Sequence, residues 1–172
     1  MAYLVAAVVL LGVLCVLNLL FTLGILRRLR TQPAWPPEPP FALAAGSAVG
    51  EFSVTTTTDE LVTHDTLAGL VGFFSAGCEA CHDLLPQFIE RARETERDQV
   101  LAVVGGSDDE TVRALAPVAR VVVADLLGGP VARAFQNTWT PALYLVGGDH
   151  RVVAAGVRVA ELPAAGRAAA KR

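Results

Sequence analysis

The sequence predicts an α/β domain, a sheet of mixed strand direction flanked by helices, preceded by one N-terminal transmembrane helix. Three observations carry that prediction. The chain begins with a long uncharged run, breaks at a cluster of prolines, and then alternates short apolar runs with helical periods before a Gly-rich hairpin signal.

Ala2 to Leu26 is 25 residues without a charge. As a helix it would be roughly 37 Å long, enough to cross a ~30 Å hydrocarbon core with some tilt. A cleaved signal peptide has a basic start and a shorter apolar core, and this run has neither. Ala42-Leu43-Ala44 resembles a cleavage site but stands well past Arg27-Arg28-Leu29-Arg30, and Leu14 precedes Cys15 where a lipoprotein signal needs a small residue. Residues 2–26 are therefore expected to be an uncleaved anchor. Residues 27–50 read as a basic juxtamembrane stretch and a linker. Pro33, Pro36, Pro37, Pro39 and Pro40 favour an extended spacer there, with Trp35 among them. Residues 51–163 carry the α/β pattern, and the Ala-rich, basic residues 164–172 are expected to be a disordered tail.

Within the domain each element has its own signal. Phe52 and Val54 alternate with polar neighbours as a half-buried strand does, and Leu61-Val62 is expected to pair with them. Leu70 to Phe74 is a short apolar run fit for a central strand. A helix follows from Cys78 to Glu94, with Pro86 inside it, where proline removes a backbone bond and bends the axis. Val100 to Val104 is a buried strand ended by Gly105-Gly106. Asp108 to Leu115 is helical with an acidic start suited to the helix dipole. Val121 to Ala124 is extended, and Pro130 to Gln136 helical. Ala142–Val146 and Val152–Ala155 flank Gly147-Gly148-Asp149-His150 as a hairpin.

The net charge of −3 and the lack of a basic surface beyond the three arginines beside the anchor exclude nucleic acid as a partner. Of three cysteines, Cys15 lies in the anchor, while Cys78 and Cys81 stand too close together to staple a fold. Cys78-Glu79-Ala80-Cys81 follows an apolar strand and opens a helix. A helix N-terminus offers partial positive charge and unpaired N–H groups, which favour a thiolate. Cys78 at the helix start is thus the expected nucleophile. Cys81, one turn in, on a stripe with Leu85, Phe88 and Ala92, is the expected resolving thiol.

Phe73-Phe74-Ser75-Ala76-Gly77-Cys78-Glu79-Ala80-Cys81, with Pro86 and Thr140-Pro141, resembles the thioredoxin superfamily, nearest its membrane-anchored TlpA/MauD-like thiol–disulfide oxidoreductases. The resemblance spans residues 50–156 and implies a thioredoxin-like sheet whose cysteines exchange with disulfides of other proteins. It implies a cis bond before Pro141, with Thr140 and Pro141 facing the cysteines as the substrate-binding loop. The longer stretch between Cys81 and Pro141, with Asp125, is like the TlpA and peroxiredoxin branches.

The chain departs from that family at Gly77, where tryptophan is usual, and at Gly72, where thioredoxin has a buried acid that moves protons to the second cysteine. Glu-Ala replaces Gly-Pro between the cysteines, and the missing acid leaves His82 or water to serve Cys81. Glu79 beside Cys78 disfavours its thiolate, so the expected direction is reduction of partner disulfides.

The rivals are a non-catalytic binding module of the same fold, a thiol peroxidase and a c-type haem protein. Ser75 lies three residues before Cys78 as in peroxiredoxins, although Val71 stands where their proline would be. Cys78-Glu79-Ala80-Cys81-His82 matches the haem signature, but the axial ligands left are Met1, His64 and His150. Zinc wants four ligands, and only those histidines and His82 join the pair. His64 and His150 otherwise read as a cap and a turn residue. Dithiol exchange needs no bound cofactor or metal. Its partners are protein disulfides and a thiol protein that donates electrons. Charge after the helix favours a cytoplasmic domain; a reducing cytosol offers few disulfides, so the domain is expected outside the cell membrane.

Overall fold

Three of the apolar runs become parallel neighbours because helices carry the chain back between them. The structure, a computed structural model, describes residues 3, 5, 11, 12, 14–19 and 43–163. It divides into two units, Met1–Pro37 and Glu38–Arg172. The described residues of the first are helical and exposed. Among the described residues no helix is long and apolar enough to cross a membrane. Most of the expected anchor, residues 27–42 of the linker, Trp35 and the tail lie outside the described residues.

In the second unit the order is β1 (Ser53–Thr55), β2 (Leu61–Thr63), β3 (Gly69–Ser75), α1 (Glu79–Arg93), β4 (Val100–Gly105), α2 (Asp109–Leu115), β5 (Arg120–Val123), α3 (Pro130–Ala134), β6 (Ala142–Val146) and β7 (Val152–Gly156). The main sheet runs β5-β4-β3-β6-β7, with β3, β4 and β5 parallel and β6 and β7 antiparallel. The hairpin β1–β2 is a separate two-stranded sheet.

Alternate side chains of the sheet go to opposite faces, and both faces are covered. One presents Leu70, Phe74, Ala102, Val104 and Leu143 to α1 and α2; the other presents Val71, Phe73, Leu101, Val103 and Tyr144 to α3 and the β1–β2 hairpin. That double coverage is why β4 and β6 read as continuous apolar runs rather than alternating ones.

Residues 43–50, assigned from sequence to the linker, pack on the domain. Leu43 and Val49 are buried, Gly46 donates to the Val152 carbonyl at 2.7 Å, and Val49 donates to that of His150 at 3.0 Å. Two apolar side chains next to a hairpin edge suffice to dock a segment that composition alone marks as spacer.

The buried stripe of α1 is Cys81, Leu84, Phe88 and Ala92, with Leu85 only half-buried beside it. The expected stripe named Leu85 instead. Positions three and four along share a face, and the sheet here lies nearer the first.

Candidate active site

β3 ends at Ser75 and the chain turns at once into α1. Cys78 N–H returns to the Ser75 carbonyl at 3.3 Å, and Gly77 takes φ +72° at the third position of that turn. A left-handed third residue is where a type II turn calls for glycine. Gly77 therefore stands in place of tryptophan for a local backbone reason. Ala76 N–H donates to the Gly105 carbonyl at 3.0 Å, so the loops after β3 and β4 lie side by side.

Cys78 is the N-cap of α1, and its sulfur accepts the Cys81 N–H at 3.2 Å. A cap sulfur that receives a helix N–H is placed where negative charge is stabilised. The two cysteines are joined as a disulfide, with Cα atoms 5.2 Å apart. Cys78 is half-buried, whereas Cys81 is 4% exposed among Phe74, Leu84 and Phe88. Cys78 is the more accessible of the two.

Thr140-Pro141 enters β6, whose register sets Ala142 opposite Phe73 at the end of β3. The Thr140–Pro141 bond is cis and Pro141 is buried. The Ser75 and Thr140 hydroxyls are 2.7 Å apart and hydrogen-bonded. The expected substrate loop is thus tied to the strand that delivers Cys78. The same bond engages the hydroxyl on which the peroxidase reading rested.

Gly72 points to the α1 face. A Cβ there would lie 2.7 Å from ring atoms of both Phe74 and Phe88, which meet edge to face at 5.1 Å between centroids. The space of the missing acid is filled by aromatic carbon. Glu79 and His82 are exposed in the first turn of α1. His82 comes near Asp108, the N-cap of α2, which accepts the Thr111 N–H at 3.0 Å. That backbone bond holds the Asp108 carboxyl below its ordinary value of 3.8, with the Thr111 hydroxyl and the charge of His82 adding to it.

Among the described residues no cluster of three or more His, Cys, Asp or Glu side chains is arranged to hold a metal. His64 and His150 do meet, with ring centroids 6.5 Å apart, but by the β6–β7 turn at the far end of the sheet. Asn137, Tyr144 and Trp139, described below, carried no sequence signal beyond one polar tip in the apolar run of β6.

Comparison with protein-family models and with curated proteins gives no match. Solved structures do match. The thioredoxin domain of a thiol-disulfide oxidoreductase from Bacteroides vulgatus is 20% identical at a TM-score of 0.53, over 70% of this chain and 94% of that one. A thiol:disulfide interchange protein from a Bacteroides species is 19% identical at 0.52, over 67% and 83%. A thioredoxin-family thiol:disulfide interchange protein from Chlorobium tepidum is 18% identical at 0.51, over 67% and 88%. At these identities the likeness is one of architecture. The chain has a thioredoxin fold.

Proposed function

We propose that this protein is a membrane-anchored thiol–disulfide oxidoreductase that reduces disulfides of partner proteins. The observation that carries the reading is the asymmetry of the pair: Cys78 capping α1 and reachable, Cys81 buried behind it, with Thr140 tied to Ser75 just before the first cysteine. In the forward direction the Cys78 thiolate attacks one sulfur of a partner disulfide, forming a mixed disulfide and expelling a partner thiolate. Cys81 loses its proton and attacks the Cys78 sulfur, which expels the second partner thiol. Two electrons and the Cys81 proton have left the pair, which remains as a disulfide, and the partner's other thiolate takes its proton from water. A dithiol protein must then reduce it for the next cycle.

Rival uses of the pair fit less well. Exchange uses both sulfurs and the adjoining loop, whereas haem attachment would leave that loop without a part. Reduction is favoured over oxidation because Glu79 puts a negative charge next to the attacking sulfur. This raises the cost of the thiolate and lowers the potential. The anchor rests on the uncharged run of residues 2–26, and the extracytoplasmic side on where partner disulfides persist.

Equilibration of the full chain with glutathione redox buffers tests both activity and direction. A potential near about −270 mV supports a reductant, and one near about −120 mV would mark an oxidant. A pair that does not equilibrate with glutathione would contradict exchange altogether.

A further inference from the structure

Behind the Thr140 loop runs a buried polar relay that thiol chemistry does not itself require. Asn137 is 2% exposed. Its Nδ2 donates to the Trp139 carbonyl at 2.8 Å, and its Oδ1 accepts from the Tyr144 hydroxyl at 2.8 Å. The direction is forced. A carbonyl only accepts, so the amide nitrogen faces Trp139, the amide oxygen faces Tyr144, and the phenol must donate. Burial pushes the Tyr144 phenol well above its ordinary range, which keeps that donor protonated. The ring is fixed in the core, 4.9 Å from Phe135 and 5.7 Å from Phe73 between centroids.

The relay meets the substrate loop from one side while Ser75 holds Thr140 from another. The Trp139–Thr140 peptide is therefore fixed at both ends to rigid elements. Trp139 itself is 55% exposed, next to Thr140, whose hydroxyl meets that of Ser75 three residues before Cys78. Buried polar groups cost stability unless fully paired. An apolar side chain at position 137 would fill the core without that demand, but would give no control over the loop.

We propose that Asn137 and Tyr144 are positioning residues that hold Trp139 as a selectivity contact for the partner. The matching partner is a polypeptide segment with a bulky apolar side chain beside its reacting cysteine. The inference rests on the exchange reading above, and deepens it by naming what the site selects.

The test uses the reduced full chain as wild type, Trp139→Ala, Tyr144→Phe and the double variant. Tyr144→Phe keeps the ring packing and removes only the donor. Three substrates are compared: a peptide disulfide with Phe beside the cysteine, the same peptide with Gly there, and glutathione disulfide. The wild type should prefer the Phe peptide by about five- to tenfold in kcat/KM, the scale of one aromatic contact. Trp139→Ala should abolish the preference and Tyr144→Phe should remove most of it. The double variant should be no worse than Trp139→Ala, since the relay acts through that residue. Rates with glutathione disulfide should stay within about twofold throughout, because a small substrate does not need an aromatic contact. A wild type that exchanges without preference would overturn the inference. So would a Tyr144→Phe variant that keeps full preference or slows all three substrates alike. A wild type inert toward all three would instead overturn the oxidoreductase reading, and this inference with it.

Discussion

The two cysteines differ by what surrounds each sulfur. Cys78 has a helix N–H and partial access to solvent; Cys81 has aromatic and aliphatic carbon. The first environment favours a thiolate and the second a thiol, which is the order in which exchange needs them. Glu79 works against the helix terminus from an exposed position, so its effect is screened. Glu79→Gln should raise the potential by only on the order of 10 mV, measured against glutathione. An unchanged or lower potential would show that the charge does not push the pair toward reduction.

At the scale of elements, Asp108 caps α2 while lying near His82 on α1. Asp108→Ala should cost about 1 kcal/mol at neutral pH, read from denaturant midpoints, with Asp108→Asn restoring much of it. Because its folded-state pKa is lowered, the ionised cap contributes fully above the ordinary value of 3.8, and that contribution fades as pH falls through the folded value. The gap between wild type and Asp108→Ala should therefore narrow in acid; a gap independent of pH would assign it to packing. Gly72 tests the α1 face. Gly72→Asp forces Phe74 and Phe88 apart and buries a carboxyl among carbon, at a cost of roughly 3 kcal/mol. A variant as stable as wild type would mean that the rings yield easily.

The elements themselves were largely legible because their signals are local. The apolar runs of β3, β4 and β6, the turn residues from Gly147 to His150 and the acidic start of α2 each state one element without reference to the rest. The cysteines were legible for the same reason, as a spacing between a strand and a helix. Contacts between distant segments were not. Ser75 meeting Thr140 and Leu43 docking on the domain depend on the folded register, which no single window of sequence contains. Asn137 bridging Trp139 and Tyr144 is local in sequence, but which way its side chain turns follows only from the path of the chain into β6. Gly72 was visible as a departure, but only the packed rings explain it.

At the scale of the whole molecule, the arginines that follow the proposed anchor favour one membrane face and the proposed dithiol chemistry favours the other. A topology reporter fused after Arg172 should be active outside the cytoplasm; cytoplasmic activity would overturn that placement and leave the chemistry untouched. The chemistry is tested most directly by capture of mixed disulfides in cells that express the full chain. Cys81→Ser should accumulate covalent, thiol-reversible adducts with partner proteins through Cys78, because nothing remains to resolve them. Cys78→Ser should accumulate none. Equal capture by both variants, or capture by Cys78→Ser alone, would contradict the assignment of Cys78 as the attacking thiol.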